Sequence, residues 1–380
     1  MVAVVLLAQL ILGAGCRSLP RDFYPLGLWG VRDTNDLELV RGVGFNVVHG
    51  PATPAWLAAA DAADLRVLAA AGVGAGRGRE AAAARKAIAA GDKHRRLWAW
   101  YLYDEPDLHL IDPELVTGGC RQWKRCGATK PVGLSLLHGA SAGRYGAGAD
   151  VVLLNRYPVP WLPLASFAQN LQLARLGLGP EKALVPVLQA FDWSYHTDLI
   201  GAPPPFRAPT YAELRCMAYS ALVEGAQGLF FYTFDDGRWK MSEHLEVWFE
   251  VHAVVSEVNA RRPLFLGKPV WWARAEAYTN IATAYNAALR GAIISVRLRV
   301  GRGNVTCPPG EYLVAVNTTD RVIDYRCTVP WPRVTAVAVL GERREVAVRR
   351  AWLEDRFEAF GVHVYGPVAS RETGTGRRVR

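Results

Sequence analysis

The 380-residue chain predicts an α/β fold: a (β/α)8 TIM barrel over residues 22–262, followed by a small antiparallel β-sandwich over 264–368. Three features lead to this. Eight apolar runs alternate with helix-like segments, the pattern switches after Asn259, and the length holds a barrel of about 250 residues plus an appendage of about 100.

The strand-like runs can be counted in order. They are PLGLWGV at 25–31, FNVVHG at 45–50, LRVLAAA at 65–71, LWAWYLY at 97–103, PVGLSLL at 131–137, DVVLLNRY at 150–157, ALVPVLQAF at 183–191 and GLFFYTF at 228–234. Helix-like stretches such as REAAAARKAIAAG, FAQNLQLARLG and TYAELRCMAYSALVEGA lie between them. Continuous apolar strands, each followed by a helix, indicate a parallel sheet covered on its outer face. Eight units close into a barrel where five or six would leave an open sheet. No GxGxxG follows the first strand, which argues against a dinucleotide site. After Asn259 short runs such as GAIISVRLRV, GEYLVAVNTT and GVHVYGP are broken by Gly, Pro and Asn turns, as in a sandwich. Residues 369–380 read as a disordered basic tail.

The termini and composition set further bounds. MVAVVLLAQLILGAGC, residues 1–16, has the shape of a secretory signal and is too short to span a membrane comfortably. Leu12-Gly13-Ala14-Gly15-Cys16 resembles a lipoprotein cleavage box, so the expectation is an exported protein, either extracellular or held at the cell envelope by a lipid on Cys16. The net charge of +9 is scattered, without a basic stripe or a nucleic-acid-binding module, so no nucleic-acid partner is expected. The six cysteines show no zinc or iron–sulfur spacing, and neither metal nor cofactor is called for. Cys307 and Cys327 flank a hairpin-like stretch and read equally well as a disulfide or as two thiols.

Barrel sites are built at the carboxyl ends of the strands, so the polar residues just past each apolar run are the candidates. They are Trp29 and Arg32 at strand one, His49 at two, Asp104 and Glu105 at four, and His138 at five. Asn155 and Tyr157 follow at six, Gln189, Asp192 and Trp193 at seven, and Tyr232, Asp235 and Asp236 at eight. Aromatic residues crowd the same rim, including Tyr101, Trp161 and Trp239. Sugars present flat C–H faces to such rings, so carboxylates among aromatic side chains point to an oligosaccharide or polysaccharide partner, while any single ring can equally be core packing.

Against this background WAWYLYDEPD resembles the fourth-strand signature of the large clan of barrel glycosidases, where a strand ends in Asn-Glu-Pro and the Glu is the general acid/base. Asp104 replaces the Asn. YAELRCMAYSALVEGAQGLFFYTFDD is similar to the seventh helix and eighth strand of glycosidase-like barrels, LLNRYPV to their sixth-strand Tyr-Pro element, and VPVLQAF to their seventh strand. The resemblance covers residues 25 to 262, and a trailing sandwich is common in that clan. It implies a glycoside hydrolase with Glu105 as catalytic acid. Retaining members carry their nucleophilic Glu at the end of strand seven, where this chain has Gln189. Hydrolysis needs two carboxyl groups, about 5 to 5.5 Å apart for retention and about 6.5 to 9.5 Å for inversion. Asp235 or Asp236, Asp192 and Asp104 itself are the options for the second; Asp235 and Asp192 rank ahead of Asp104, which, if the strand continues, alternates to the other side of the chain and braces the site.

Two readings therefore stand: a glycosidase acting on an extracellular glycan, and a surface glycan-binding barrel without turnover. Fold alone does not choose between them.

Overall fold

Why eight strands close on themselves is visible in what fills the middle. In the computed structural model, which describes residues 20, 22–71, 78–201, 203–270, 291–331 and 333–369, Phe230, Trp98 and Tyr101 pack with Val47, Leu68, Val151, Leu153, Val185 and Val187 along the barrel axis. Phe230 is fully buried, and a Cβ at Gly27 would lie 2.3 Å from its ring, so only glycine on the first strand leaves the ring its place. Truncating so large a buried side chain typically costs about 3 to 5 kcal/mol.

The barrel strands are β1 (Leu26–Leu28), β2 (Val47–Pro51), β3 (Arg66–Ala70), β4 (Leu97–Tyr103), β5 (Val132–Leu136), β6 (Val151–Asn155), β7 (Ala183–Gln189) and β8 (Leu229–Tyr232). Each pairs in parallel with the next, and β8 returns to β1 to close the ring. Between them run α1 (Leu37–Val43), α2 (Pro54–Ala62), α3 (Arg79–Gly91), α4 (Pro113–Arg125), the single turn α5 (Ala142–Tyr145), α6 (Ala165–Leu178) and α7 (Tyr211–Val223), with α8 (Leu245–Ala260) after β8. The eight runs counted in the sequence are these eight strands.

Local chemistry fixes where the helices start. Thr53 caps α2 by accepting from Trp56 N, with Pro54 supplying the preset φ of the first turn. Asp112 and Pro113 do the same for α4, and Thr210 with Glu213 forms a reciprocal capping box on α7. Buried Asp92 accepts from Trp100 Nε1 at 2.8 Å, from Thr129 Oγ1 and from the amides of Thr129 and Lys130, which ties the end of α3 to β4 and to the approach of β5.

The chain divides into two compact units, Met1–Asn259 and Ala260–Arg380. The second begins with the single turn α9 (Arg262–Phe265) and holds β9 (Lys268–Pro269), β10 (Ile293–Val300), β11 (Gly310–Asn317), β12 (Ile323–Thr328), β13 (Ala336–Val339), β14 (Arg344–Arg349), β15 (Trp352–Phe357) and β16 (Val362–Val368). They form an antiparallel sheet in the order β12-β15-β14-β13-β16-β11-β10-β9. The sheet curls around a core that includes Leu313, Tyr325, Trp331, Leu353, Phe357 and Tyr365, which makes it the predicted sandwich. In β12 the residues alternate strictly between buried and exposed, the mark of a sheet wet on one face.

Of the two readings open for Cys307 and Cys327, the structure has separate thiols, both buried, with burial pushing the Cys327 thiol up to about 12. The expected signal segment with Cys16, and all of the expected tail beyond residue 369, lie outside the described residues. Among the described residues no helix is long and apolar enough to cross a membrane.

Candidate active site

Glu105 stands just past β4, and its backbone has left the strand. Its φ is 41°, in the left-handed region that a Glu rarely occupies, and the following Pro106 opens a turn. The amide of Glu105 donates to Ser135 Oγ in β5 at 3.0 Å, and its carboxylate Oε1 accepts from Asn155 Nδ2, at the end of β6, at 2.7 Å. Burial raises the carboxyl pKa above its ordinary value, the Asn155 hydrogen bond opposes this, and the neighbouring Asp104 and Asp107 charges raise it further; the net direction is up.

Asp104 does brace this arrangement, but not by turning away. Its Oδ1 accepts from Tyr101 OH at 2.6 Å and from Ser135 Oγ at 2.8 Å, both reaching it from the barrel interior. The expected alternation fails because β4 ends at Tyr103, and its pairing with β5 carries a register shift between Tyr101 and Tyr103. Tyr101 carries the contact onward: its ring meets Trp29 edge-on at 4.9 Å and His49 at 5.4 Å.

Trp29 and His49, from β1 and β2, stack face to face at 3.9 Å with 7° between their planes. Burial drives the His49 pKa down to about 4 against an opposing pull from Asp104, so the ring is neutral at physiological pH, and its Nε2 has no hydrogen-bond partner. Beside this pair opens a cavity of about 420 Å³, with Trp29, Arg32, His49, Trp56, Tyr232 and Asp235 in its lining. Its volume is in the range of small-ligand sites.

The end of β8 is a hydrogen-bonded knot. Asp236 Oδ1 accepts from the amides of Arg238 and Trp239 at 3.0 and 2.9 Å, and Oδ2 meets His196 Nε2 at 2.8 Å and Tyr232 OH at 3.2 Å. Burial would raise the Asp236 pKa, but the His196 bond and the two amides outweigh it and hold the carboxylate well below its usual range. A carboxylate with every lone pair engaged is a weak base. Asp235 is different: Oδ1 accepts from Gly237 N at 2.7 Å, Arg32 approaches at 3.8 Å, and the side chain keeps about a quarter of its surface exposed on the cavity wall.

The remaining sequence candidates divide. Tyr157 lies on the Tyr232 ring at 5.6 Å with 25° between planes, and the Glu105 charge adds to the burial that raises its phenol pKa. Trp193 extends this group, 6.4 Å from Tyr157 and 6.0 Å from Trp161. Asp192 caps the short 3-10 turn that begins at Trp193, accepting from Ser194 N at 2.7 Å. His138 is an exposed ring held against buried Asp107, whose carboxylate receives the amides of Leu137 and His138.

Gln189 corrects the sequence reading. It was a candidate to contact ligand, yet it is fully buried and its amide is spent on backbone: Oε1 accepts from Val159 N at 3.0 Å, and Nε2 donates to Val159 O at 2.9 Å and Phe191 O at 3.3 Å. This position of strand seven holds the loop after β6, a task that needs a donor and an acceptor together.

Four contributors escaped the scan of strand ends. Ser135 lies inside its strand, a lone hydroxyl in the run PVGLSLL, and that isolation was the available signal. Asp107 stood in the quoted WAWYLYDEPD without being singled out. His196 and Trp56 sit in helical turns where nothing in the sequence marks them. Among the described residues no group of three or more His, Cys, Asp or Glu could hold a metal ion.

No protein-family model matches the chain, and no curated protein sequence matches it. Solved structures do. A variant of AmyP in complex with maltotriose superposes with a TM-score of 0.55 at 9% identity, covering 92% of this chain and 98% of that one. A GH42 β-galactosidase from G. stearothermophilus, in a catalytic mutant, gives 0.55 at 9% identity over 90% of this chain and 98% of its own. A cyclomaltodextrinase gives 0.55 at 10% identity over 91% and 78%. The chain thus has the fold of glycoside hydrolases built from an eight-stranded parallel barrel and a C-terminal antiparallel sheet.

Proposed function

We propose that the barrel is a glycoside hydrolase and that Glu105 is its general acid, donating a proton to the leaving glycosidic oxygen. The observation that carries this is the state of Glu105 itself. It is a carboxyl with a raised pKa, held by Asn155 and close enough to Tyr101, Tyr157 and Tyr232 for its charge to act on their phenols, on a left-handed backbone at the end of the fourth barrel strand. A backbone outlier of this kind costs on the order of 1–3 kcal/mol and concentrates at functional sites. A raised pKa keeps the proton available, which is what the acid role requires. The fold shared with glycoside hydrolases agrees with this reading, and the solved complex with maltotriose belongs to one of those neighbours.

Asp235 is the best second carboxylate, because its Oδ2 carries no hydrogen bond while Asp236 is saturated. It would accept a proton from an attacking water, or attack the anomeric carbon itself. A second reading has one specific support: the strand-seven position of the usual nucleophile holds an amide committed to backbone. A barrel that binds glycan without cutting it would look the same there. Hydrolysis assays of wild type and Glu105→Gln on a panel of aryl glycosides and polysaccharides separate the two. Turnover that vanishes in the variant supports the hydrolase; wild type that binds glycan and releases no sugar supports the binding protein.

We also propose export, with Cys16 lipidated at the envelope surface, on the strength of the apolar leader and the small residues before that cysteine. Intact-mass measurement of native protein checks this; an unmodified chain beginning at Met1 in the cytosol removes it.

A further inference from the structure

Glu105 has an aromatic group on each side of it. Toward β1 and β2, the Tyr101 hydroxyl bonded to the adjacent Asp104 leads to the Trp29–His49 stack and the open cavity behind it. Toward β6 and β7, the Asn155 amide bonded to Glu105 leads two residues on to Tyr157, and from there to Trp193 and Trp161. Tyr232 belongs to both groups, lining the cavity while stacking on Tyr157.

The two sides offer ring faces on which sugar rings can lie, with Trp29 and Tyr232 in the cavity lining. The cavity is lined by one guanidinium, Arg32, and two carboxylates, Asp235 and Asp236, which favours a neutral ligand over an anionic one.

From this we infer that the cleft binds an extended, uncharged polysaccharide chain across both aromatic groups, with Glu105 at an internal linkage, so that any cleavage is endo. This rests on the cleft being the saccharide site, as in the reading above, and adds the length and charge of the ligand. Rings on both sides of the acid give a chain contacts on either side of the linkage that Glu105 faces.

The experiment is calorimetric titration of full-length Glu105→Gln with linear neutral oligosaccharides, α-1,4-, β-1,3- and β-1,4-linked, from disaccharide to hexasaccharide. In the series that binds, affinity rises about tenfold or more from trisaccharide to hexasaccharide. Trp193→Ala and Trp29→Ala, each in the Glu105→Gln background, then each remove that gain. Because Trp29 packs on Tyr101, Ala70→Met repeats the test from the cavity wall of β3 without disturbing that contact. Affinity that is flat beyond the trisaccharide, a gain abolished from one side only, or no binding in any neutral series overturns the inference. Wild type that binds with the length gain yet cuts nothing leaves the two-sided site standing and removes the hydrolase. Wild type that cuts only terminal sugars does the reverse.

Discussion

The Asn155 amide donates to Glu105 Oε1 at 2.7 Å, and this one bond joins the end of β6 to the end of β4 across the intervening strand. It acts on the acid in two opposed ways. It favours the charged carboxylate and so pulls the pKa down, and it fixes which oxygen is left to face a ligand.

Replacing Asn155 with Ala separates these effects. A general acid works while protonated, so activity falls as pH rises through its pKa. Without the amide the carboxylate loses its stabilising donor, the pKa of Glu105 rises, and the alkaline limb of the kcat/KM profile moves to higher pH. The looser carboxyl lowers kcat at the optimum by about tenfold, as small misplacements of catalytic groups do. A pH–rate profile of both proteins reads this out; an alkaline limb that stays in place or moves down shows that the limb belongs to another group.

Gln189→Glu looks like restoration of a missing nucleophile, and the structure predicts the opposite outcome. A carboxylate at 189 would face the carbonyls of Val159 and Phe191 in a fully buried site, where the amide NH2 now donates to both. Leaving a buried charge unpaired costs about 3–5 kcal/mol. The variant should melt several degrees lower without gaining activity, as thermal unfolding and the same hydrolysis assays will show. A stable, more active Gln189→Glu would mean that the loop after β6 can let go of residue 189.

This pair of positions also shows what the sequence could and could not reveal. The barrel was legible because eight apolar runs with intervening helices leave few ways to bury both sheet faces. Glu105 was legible because Asp-Glu-Pro ends one of those runs. Gln189 was misjudged because position at a strand end says nothing about whether a side chain points to the cleft or back under a loop. That depends on Val159, 30 residues away. The direction of Asp104 was missed for a related reason: alternation assumes that the strand continues, and β4 stops one residue before it. The difference between Asp235 and Asp236, adjacent and chemically identical, lies wholly in their donors, among them His196 from a turn whose packing no local pattern records.

Asp236 makes a prediction about acid stability. Its folded pKa is depressed, so the stability it contributes is fully present above the unfolded carboxylate value, about 3.9, and is lost as pH falls below that toward the folded value. The groups facing it are His196, the Tyr232 hydroxyl and the amides of Arg238 and Trp239. Asp236→Asn keeps the shape but accepts with one oxygen only. It should be less stable than wild type at neutral pH, with the gap narrowing below about pH 4. Urea unfolding at a series of pH values measures the gap; a constant difference across that range would show that the charge of Asp236 contributes nothing.

Glu105 itself gives the sharpest test, because its chemistry and its backbone strain can be separated by three substitutions. Glu105→Gln keeps the left-handed φ of 41° and removes the transferable proton, so turnover should fall by about 100-fold or more with little change in stability. Glu105→Ala removes the proton and the Asn155 bond while retaining a Cβ at the strained φ. Glu105→Gly removes the same groups and the strain as well, since glycine adopts positive φ without a Cβ clash. Gly should therefore be more stable than Ala by about 1 kcal/mol, although it is the poorer choice at an unstrained site. All three should be nearly inactive. A hydrolase whose Glu105→Gln variant keeps its turnover has its acid elsewhere, and a Gly variant no more stable than Ala places the strain outside the site; the two results together would remove the reason for assigning chemistry to this residue.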